Sequence, residues 1–152
     1  MEPVRHRYPP TVDCTPAIRQ ALGDAGVAVA WVFGSRVDGT AGPTSDTDVA
    51  VLSVAGRPPL GLLDLTRLAR KLDPHLPGSV DLTVFERAPL ELRARIVTQG
   101  RLLCSHDETL RVGVTVDTQS RWEDVRPALR AMDQSYLAAV AGRRTSAEEP
   151  RG

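Results

Sequence analysis

Two aspartates, Asp46 and Asp48, stand two apart at the start of an apolar stretch, Asp46–Leu52. Side chains of an extended chain alternate faces, so both carboxylates project from one face, about 7 Å apart. Two anions beside an apolar strand repel each other and lose hydration, which calls for a neighbouring cation or a raised pKa. A divalent metal supplies that cation. Hard carboxylate oxygens suit Mg2+ or Mn2+, which keep waters and bind substrate phosphates. A third acid, Asp81, lies inside a later strand-like stretch, Ser79–Phe85. If the two strands are neighbours, Asp46, Asp48 and Asp81 converge. Three acids around two metals is an arrangement suited to phosphoryl or nucleotidyl transfer. Upstream, Gly34-Ser35 closes another apolar run, Val27–Phe33. A strand that ends in Gly-Ser and opens a helical turn offers free backbone N–H groups and a hydroxyl to a polyphosphate, and glycine permits close approach. Arg36 either adds a positive charge there or points to solvent. An Asp-x-Asp pair alone, or a Gly-Ser turn alone, is common in purely structural settings; their combination at this spacing is what points to chemistry.

These residues need a framework. The chain has 152 residues, enough for one domain with its own hydrophobic core. Residues 1–14 are Pro-rich and read as a loose arm. Thr15-Pro16 reads as an N-cap and first helical residue, with the helix ending at Gly26. Val27–Phe33 is a continuous apolar run, the pattern of a strand buried on both faces. Residues 36–45 are turn-rich, and Asp46–Leu52 is the second strand. Leucines at 60, 62, 63, 65, 68 and 72 predict an amphipathic helix. The third strand is Ser79–Phe85. A helix follows from Ala88-Pro89 to Gln99, then a short strand, Arg101–Cys104. From His106 the pattern is helical, with an interruption expected at the β-branched stretch Val112–Thr118 and a kink at Pro127. This order predicts an α+β protein: a small mixed β-sheet covered by helices, with a helical C-terminal segment. The expected division is an arm over 1–14, a core over 15–105, a helical segment over 106–142 and a frayed tail over 143–152.

Composition narrows the function. Lys+Arg and Asp+Glu are 19 each, so the formal net charge is zero. That argues against a general nucleic-acid coat or a membrane-surface binder, which need a basic excess. Aromatic residues are 4% of the chain, which leaves few platforms for stacking bases. Lys71 is the only lysine, so lysine chemistry would have to use it. Cys14 and Cys104 form neither a metal-ligand spacing nor a disulfide framework, and two reduced thiols are expected. The N-terminal residues lack an apolar signal core, and no apolar run approaches the ~18 residues of a membrane span. A soluble, cytoplasmic protein is the expectation.

The segment GSRVDGTAGPTSDTDVAVL resembles the G-S-(ten)-D-x-D signature of the DNA polymerase β-like nucleotidyltransferase superfamily, with Gly39 and the Ser45-Asp46 pair adding to the match. More narrowly, the short chain, the stretch VDLTVFERAPLELRARIVTQGRLL and the helical tail resemble the minimal nucleotidyltransferase (MNT) antitoxins, which pair with HEPN ribonuclease toxins. The resemblance covers about Val27 to Tyr136. It implies the polymerase β-like fold and a two-metal adenylyltransferase. Asp46, Asp48 and Asp81 would be the catalytic, metal-holding acids for two Mg2+ ions (or Mn2+), with Asp81 as candidate general base. Gly34, Ser35, Arg36 and Ser45 would bind the nucleotide. ATP would donate AMP to a tyrosine hydroxyl of the HEPN toxin partner, and the added charge would repel RNA from the toxin. No direct nucleic-acid binding and no membrane are expected of the chain itself. Two other readings compete: a small-molecule nucleotidyltransferase of the aminoglycoside type, for which the chain offers little room beyond its core, and a binding-only antitoxin. Trp122, Val125, Leu129, Met132, Tyr136 and Leu137 recur at helical spacing. Core or intrachain packing is the default expectation for them, and a partner-docking face is the alternative.

Overall fold

Val27–Phe33 forms the central strand, β1, of a four-stranded sheet in a computed structural model that describes residues 12–42 and 45–147. A central strand is covered on both faces, which is why its sequence is apolar throughout rather than alternating. Val29 and Trp31 face one apolar cluster, Ala30 and Val32 the other. The register shifts between Val27 and Val29, and at this bulge Ala28 joins Val29 on the same side.

The remaining elements follow from turns and amphipathic patterns. Thr15 caps α1 (Pro16–Asp24), accepting the Ile18 N–H at 3.3 Å, with Pro16 in the first turn. After β1 come the short helix α2 (Ser35–Asp38) and strand β2 (Thr47–Ser53). Helix α3 (Leu62–Leu72) leads through a 3-10 turn at Asp73–His75 into β3 (Val80–Val84). A second 3-10 turn, Phe85–Arg87, precedes α4 (Leu90–Gln99), β4 (Arg101–Ser105) and α5 (Glu108–Ala147). The sheet order is β3-β2-β1-β4. β1 is antiparallel to both β2 and β4, whereas β2 and β3 are parallel, so the sheet is mixed as expected.

Two apolar layers clamp the sheet. On one face Ile18 and Leu22 of α1 and Leu68 and Leu72 of α3 pack on Val49, Val51 and Ala30. Burying each such side chain contributes roughly 1.5–3 kcal/mol. On the other face Ile96 of α4, with Leu110 and Val114 of α5, covers Trp31, Ala50 and Phe85. The Trp31 and Phe85 rings stack with centroids 5.0 Å apart.

Three expectations change. α5 is one uninterrupted helix through Val112–Thr118, and Pro127 lies inside it. The β-branched residues cost only tenths of a kcal/mol each in a helix, and Val114 and Thr118 recover that by packing on the domain. α5 also stays helical through Ala147, beyond the expected start of the tail at 143; the arm residues 1–11 and the last residues, 148–152, lie outside the described residues. Third, Cys14 and Cys104 are not free thiols but a disulfide, with Cα atoms 5.5 Å apart. Their separation of 90 residues hides a contact that the fold creates, because the segment entering α1 lies beneath β4. Among the described residues no helix is long and apolar enough to cross a membrane.

The disulfide ties the edge strand β4 to the start of α1, and bridges that close long loops contribute typically 2–4 kcal/mol. Cys104→Ser should therefore lower the unfolding free energy by about that amount in urea titrations without reductant. Dithiothreitol should remove most of the difference; equal stability of the oxidised wild type and the variant would contradict it.

Candidate functional site

The ends of β1 and β2 meet where Phe33 pairs with Asp48. On β2, Val49 and Val51 face the α1/α3 layer, so Asp48 faces the opposite side, with Ala50. On β3, Val80 and Leu82 likewise pack toward α1/α3, which turns Asp81 to the same side as Asp48. The parallel register places Asp48 directly beside Asp81. Asp46 stands just ahead of β2 and completes the acidic group. Burial holds the Asp48 carboxyl above the usual carboxylate range, and the charges of Asp81 and then Asp46 push it further in the same direction.

Gly34 closes on this group. It has φ 74° and ψ −145°, a conformation open to glycine and strained for other residues. A Cβ there would stand 2.5 Å from Asp48 Oδ2, so the missing side chain is what lets the turn lean on the acid. Behind Gly34 the chain turns through α2. The Val37 and Asp38 amides donate to the Gly34 carbonyl at 3.0 and 3.1 Å. The Thr40 hydroxyl and amide both donate to Asp38 Oδ1, at 2.6 and 3.0 Å, and hold the Asp38 carboxyl below the usual range. Gly39, at φ 84°, ends the turn in the left-handed region.

The connector then folds back onto its own start. Arg36 Nη2 donates to the Ser45 carbonyl, while Ser45 Oγ accepts the Gly42 N–H at 2.8 Å. Gly78, at φ 66°, packs against the same Ser45 carbonyl, where a Cβ would come within 2.3 Å. The Thr47 N–H donates to the Ser79 carbonyl at 2.9 Å, and its hydroxyl donates to the Pro77 carbonyl. Arg36 and Ser45 thus fasten the Gly34-Ser35 turn to the entry of β2 and hold it beside β3. The Arg36 Nε is buried without a hydrogen-bond partner among the described residues, and Ser35 heads α2 half-buried.

On the same side of the sheet, a slot of about 340 Å³ opens beside Gly34. Phe33, Val37 and Leu92 form its apolar walls, with Arg95 and Gln99 of α4 lining it as well. The sequence reading missed Leu92, Arg95 and Gln99, which look like ordinary positions of an amphipathic helix; Gly100, closing that helix against the Val32 carbonyl, is the one sign that α4 ends at the site. Lys71 is elsewhere, in a depression with Asp24, Arg57 and Arg67 beyond the start of β1, and the acids do not line it.

Among the described residues no three Asp, Glu, His or Cys side chains gather tightly enough to cage a metal ion by themselves. The donor set nevertheless fits a hard divalent cation that takes one or two carboxylates and completes its shell with water and substrate phosphate oxygens. It consists of oxygens on one face, carrying a mutual repulsion that a cation would relieve.

No curated protein matches the chain. Among solved structures, it is similar to a toxin–antitoxin complex with AMP-PNP, with 28% identity, a TM-score of 0.66, and coverage of 80% of this chain and 96% of that one. It is also similar to an MntA toxin–antitoxin complex in which two aspartates, two positions apart, are replaced by glutamate (26% identity, TM-score 0.65, coverage 78% and 94%). A third similar structure is the tri-AMPylated Shewanella oneidensis HEPN toxin in complex with MNT antitoxin, with 25% identity, a TM-score of 0.60, and coverage of 78% and 91%. The profile of the polymerase beta nucleotidyltransferase family matches residues 17–109, which is more than half of the chain and contains the Gly34-Ser35 turn and all three acids. The chain belongs to the polymerase beta nucleotidyltransferase family.

Proposed function

We propose that the chain is an antitoxin that transfers AMP from ATP to a tyrosine hydroxyl of a cognate HEPN toxin and so neutralises it. The observation that carries this reading is the register of β2 on β3, which sets Asp48 beside Asp81, with Gly34 closed on Asp48. The similarity to an AMP-PNP complex and to an AMPylated toxin bound to its antitoxin supports ATP as donor and a HEPN protein as acceptor. The catalytic unit in this reading is 15–105, with 106–142 as its helical extension.

The residues divide the work. The Gly34-Ser35 turn, with the Ser35 hydroxyl, grips the β- and γ-phosphates, and the glycine lets them approach the backbone. Arg36 and Ser45 hold that turn at a fixed distance from the acids through their mutual hydrogen bond. Asp46, Asp48 and Asp81 would hold Mg2+ (two ions, or Mn2+), which supplies charge neutralisation at the phosphates when bound. Asp81 takes the proton of the tyrosine hydroxyl. The phenolic oxygen then forms its bond to the α-phosphorus in line, the bond from that phosphorus to the bridging oxygen breaks, and pyrophosphate leaves with that electron pair.

Incubating the chain with its toxin and ATP labelled at the α-phosphate should label the toxin, and label at the γ-phosphate should not transfer. Asp46→Ala combined with Asp48→Ala should reduce transfer by about 10²-fold or more; transfer at the wild-type rate would overturn the mechanism.

Asp48 also gives a metal-free readout. Its folded pKa is raised, so the neutral carboxyl favours the fold at low pH, and that stability is lost as pH rises through the raised pKa. Asp48→Asn keeps a neutral group at every pH. In EDTA at pH 7 its Tm should exceed that of the wild type, the gap should close as pH falls toward the ordinary carboxylate value of about 4, and Mg2+ should raise the wild-type Tm more. A variant less stable than wild type at pH 7 would contradict this.

A further inference from the structure

α5 outruns the domain it packs on. It begins just after the point where the His106 N–H donates to the Ala28 carbonyl at 2.7 Å, at the end of β1 away from Gly34. Its 40 residues span about 60 Å, whereas the seven residues of β1 span about 23 Å. Along its first half one face is spent on the domain: Leu110 and Val114 join the Trp31 cluster, and Thr118 is 2% exposed. The same face continues at steps of three and four through Val125, Leu129, Met132, Tyr136 and Val140. Val125 and Leu129 are each 39% exposed, Met132 67% and Tyr136 69%. Core or intrachain packing, the default expectation, thus holds for Trp122, half-buried against α4, but not for Met132, Tyr136 and Leu137, and the interface that α5 makes with its own domain carries on as an exposed apolar seam.

The seam leads to the catalytic end. Where α5 crosses α4, a groove of about 280 Å³ is lined by Trp122, Arg126 and Arg130 together with Arg95 and Gln99. Arg95 and Gln99 also line the slot beside Gly34, so groove and slot share these two side chains as a wall. Arg126 and Arg130 have no ion-pair partner among the described residues.

We propose that the stripe from Val125 to Val140 is where a helix of the HEPN toxin docks, and that docking there presents the acceptor tyrosine to the slot beside Gly34. This rests on the antitoxin reading above. The occupant that fits is an amphipathic helix: its apolar face continues the seam and its acidic flank meets Arg126 and Arg130. The target tyrosine is then selected by where the docked toxin stands, rather than by a sequence motif read at the acids.

The test uses the full chain and its cognate toxin, with binding measured by calorimetry and AMP transfer measured in parallel. Met132→Glu combined with Tyr136→Glu, at exposed positions, should keep ATP binding but weaken toxin binding by about 100-fold. Transfer should show a raised KM for toxin with little change in kcat. Arg126→Glu combined with Arg130→Glu should weaken binding as well and flatten its salt dependence. If the first variant binds toxin as the wild type does while the wild type transfers AMP, the docking surface is wrong and the antitoxin reading stands. If that variant loses toxin binding but the wild type transfers no AMP, the docking stands and the catalytic reading fails. Should the wild type be a dimer that the variant dissolves with unchanged toxin affinity, a second copy covers the seam and the proposal is overturned.

Discussion

Parallel pairing of β2 with β3 is the constraint on which the site depends. It sets two carboxylates side by side on one face of a sheet whose other face is packed with leucine, isoleucine and valine. Hydrogen-bonded register, once fixed, leaves Asp48 no route away from Asp81 short of slipping the strand, and a slip by one residue would turn Val49 and Val51 out of the core. The hydrophobic layer of α1 and α3 thus enforces an electrostatic conflict on the opposite face. That conflict costs stability in the isolated chain and gives the site its demand for cations and phosphate.

Around this pair the chain is held by backbone contacts that tolerate little change. Gly34 meets Asp48 and Gly78 meets the Ser45 carbonyl, each at a distance that leaves no room for a Cβ. Arg36 links the phosphate-side turn to the strand that bears the acids. The consequence is an acid-and-turn unit fastened by close backbone contacts, with an apolar slot on one side. Orientation of the acceptor protein then becomes the principal variable.

Much of this was legible in the residues. The uniform apolarity of Val27–Phe33 marked a central strand, and the Gly-Ser and Asp-x-Asp spacing marked the ends of two neighbouring strands. Asp81 was legible as the third acid of the expected site on condition that its strand neighbours the second; the parallel register that meets this condition is a property of the sheet. Other features were hidden for physical reasons. Cys14 and Cys104 are 90 residues apart in sequence, and nothing local signals their contact. Pro127 and the valines of α5 argue locally against one long helix, yet the helix is continuous and its first half is supported by packing on the domain. Leu92, Arg95 and Gln99 belong to a helix whose pattern reports burial but not which end of the sheet it reaches. For Met132 and Tyr136 the spacing was right and the default was wrong, because periodicity shows that a face is apolar and not whether the chain itself covers it.

The measurement that bears most directly on the central claim is paramagnetic broadening of backbone amide resonances by Mn2+ in the presence of a nonhydrolysable ATP analogue. The account predicts that Gly34, Ser35, Asp46, Asp48 and Asp81 broaden first and together. Broadening centred elsewhere, such as the acidic and basic depression around Asp24 and Asp64, with the Asp48 and Asp81 amides untouched, would contradict it.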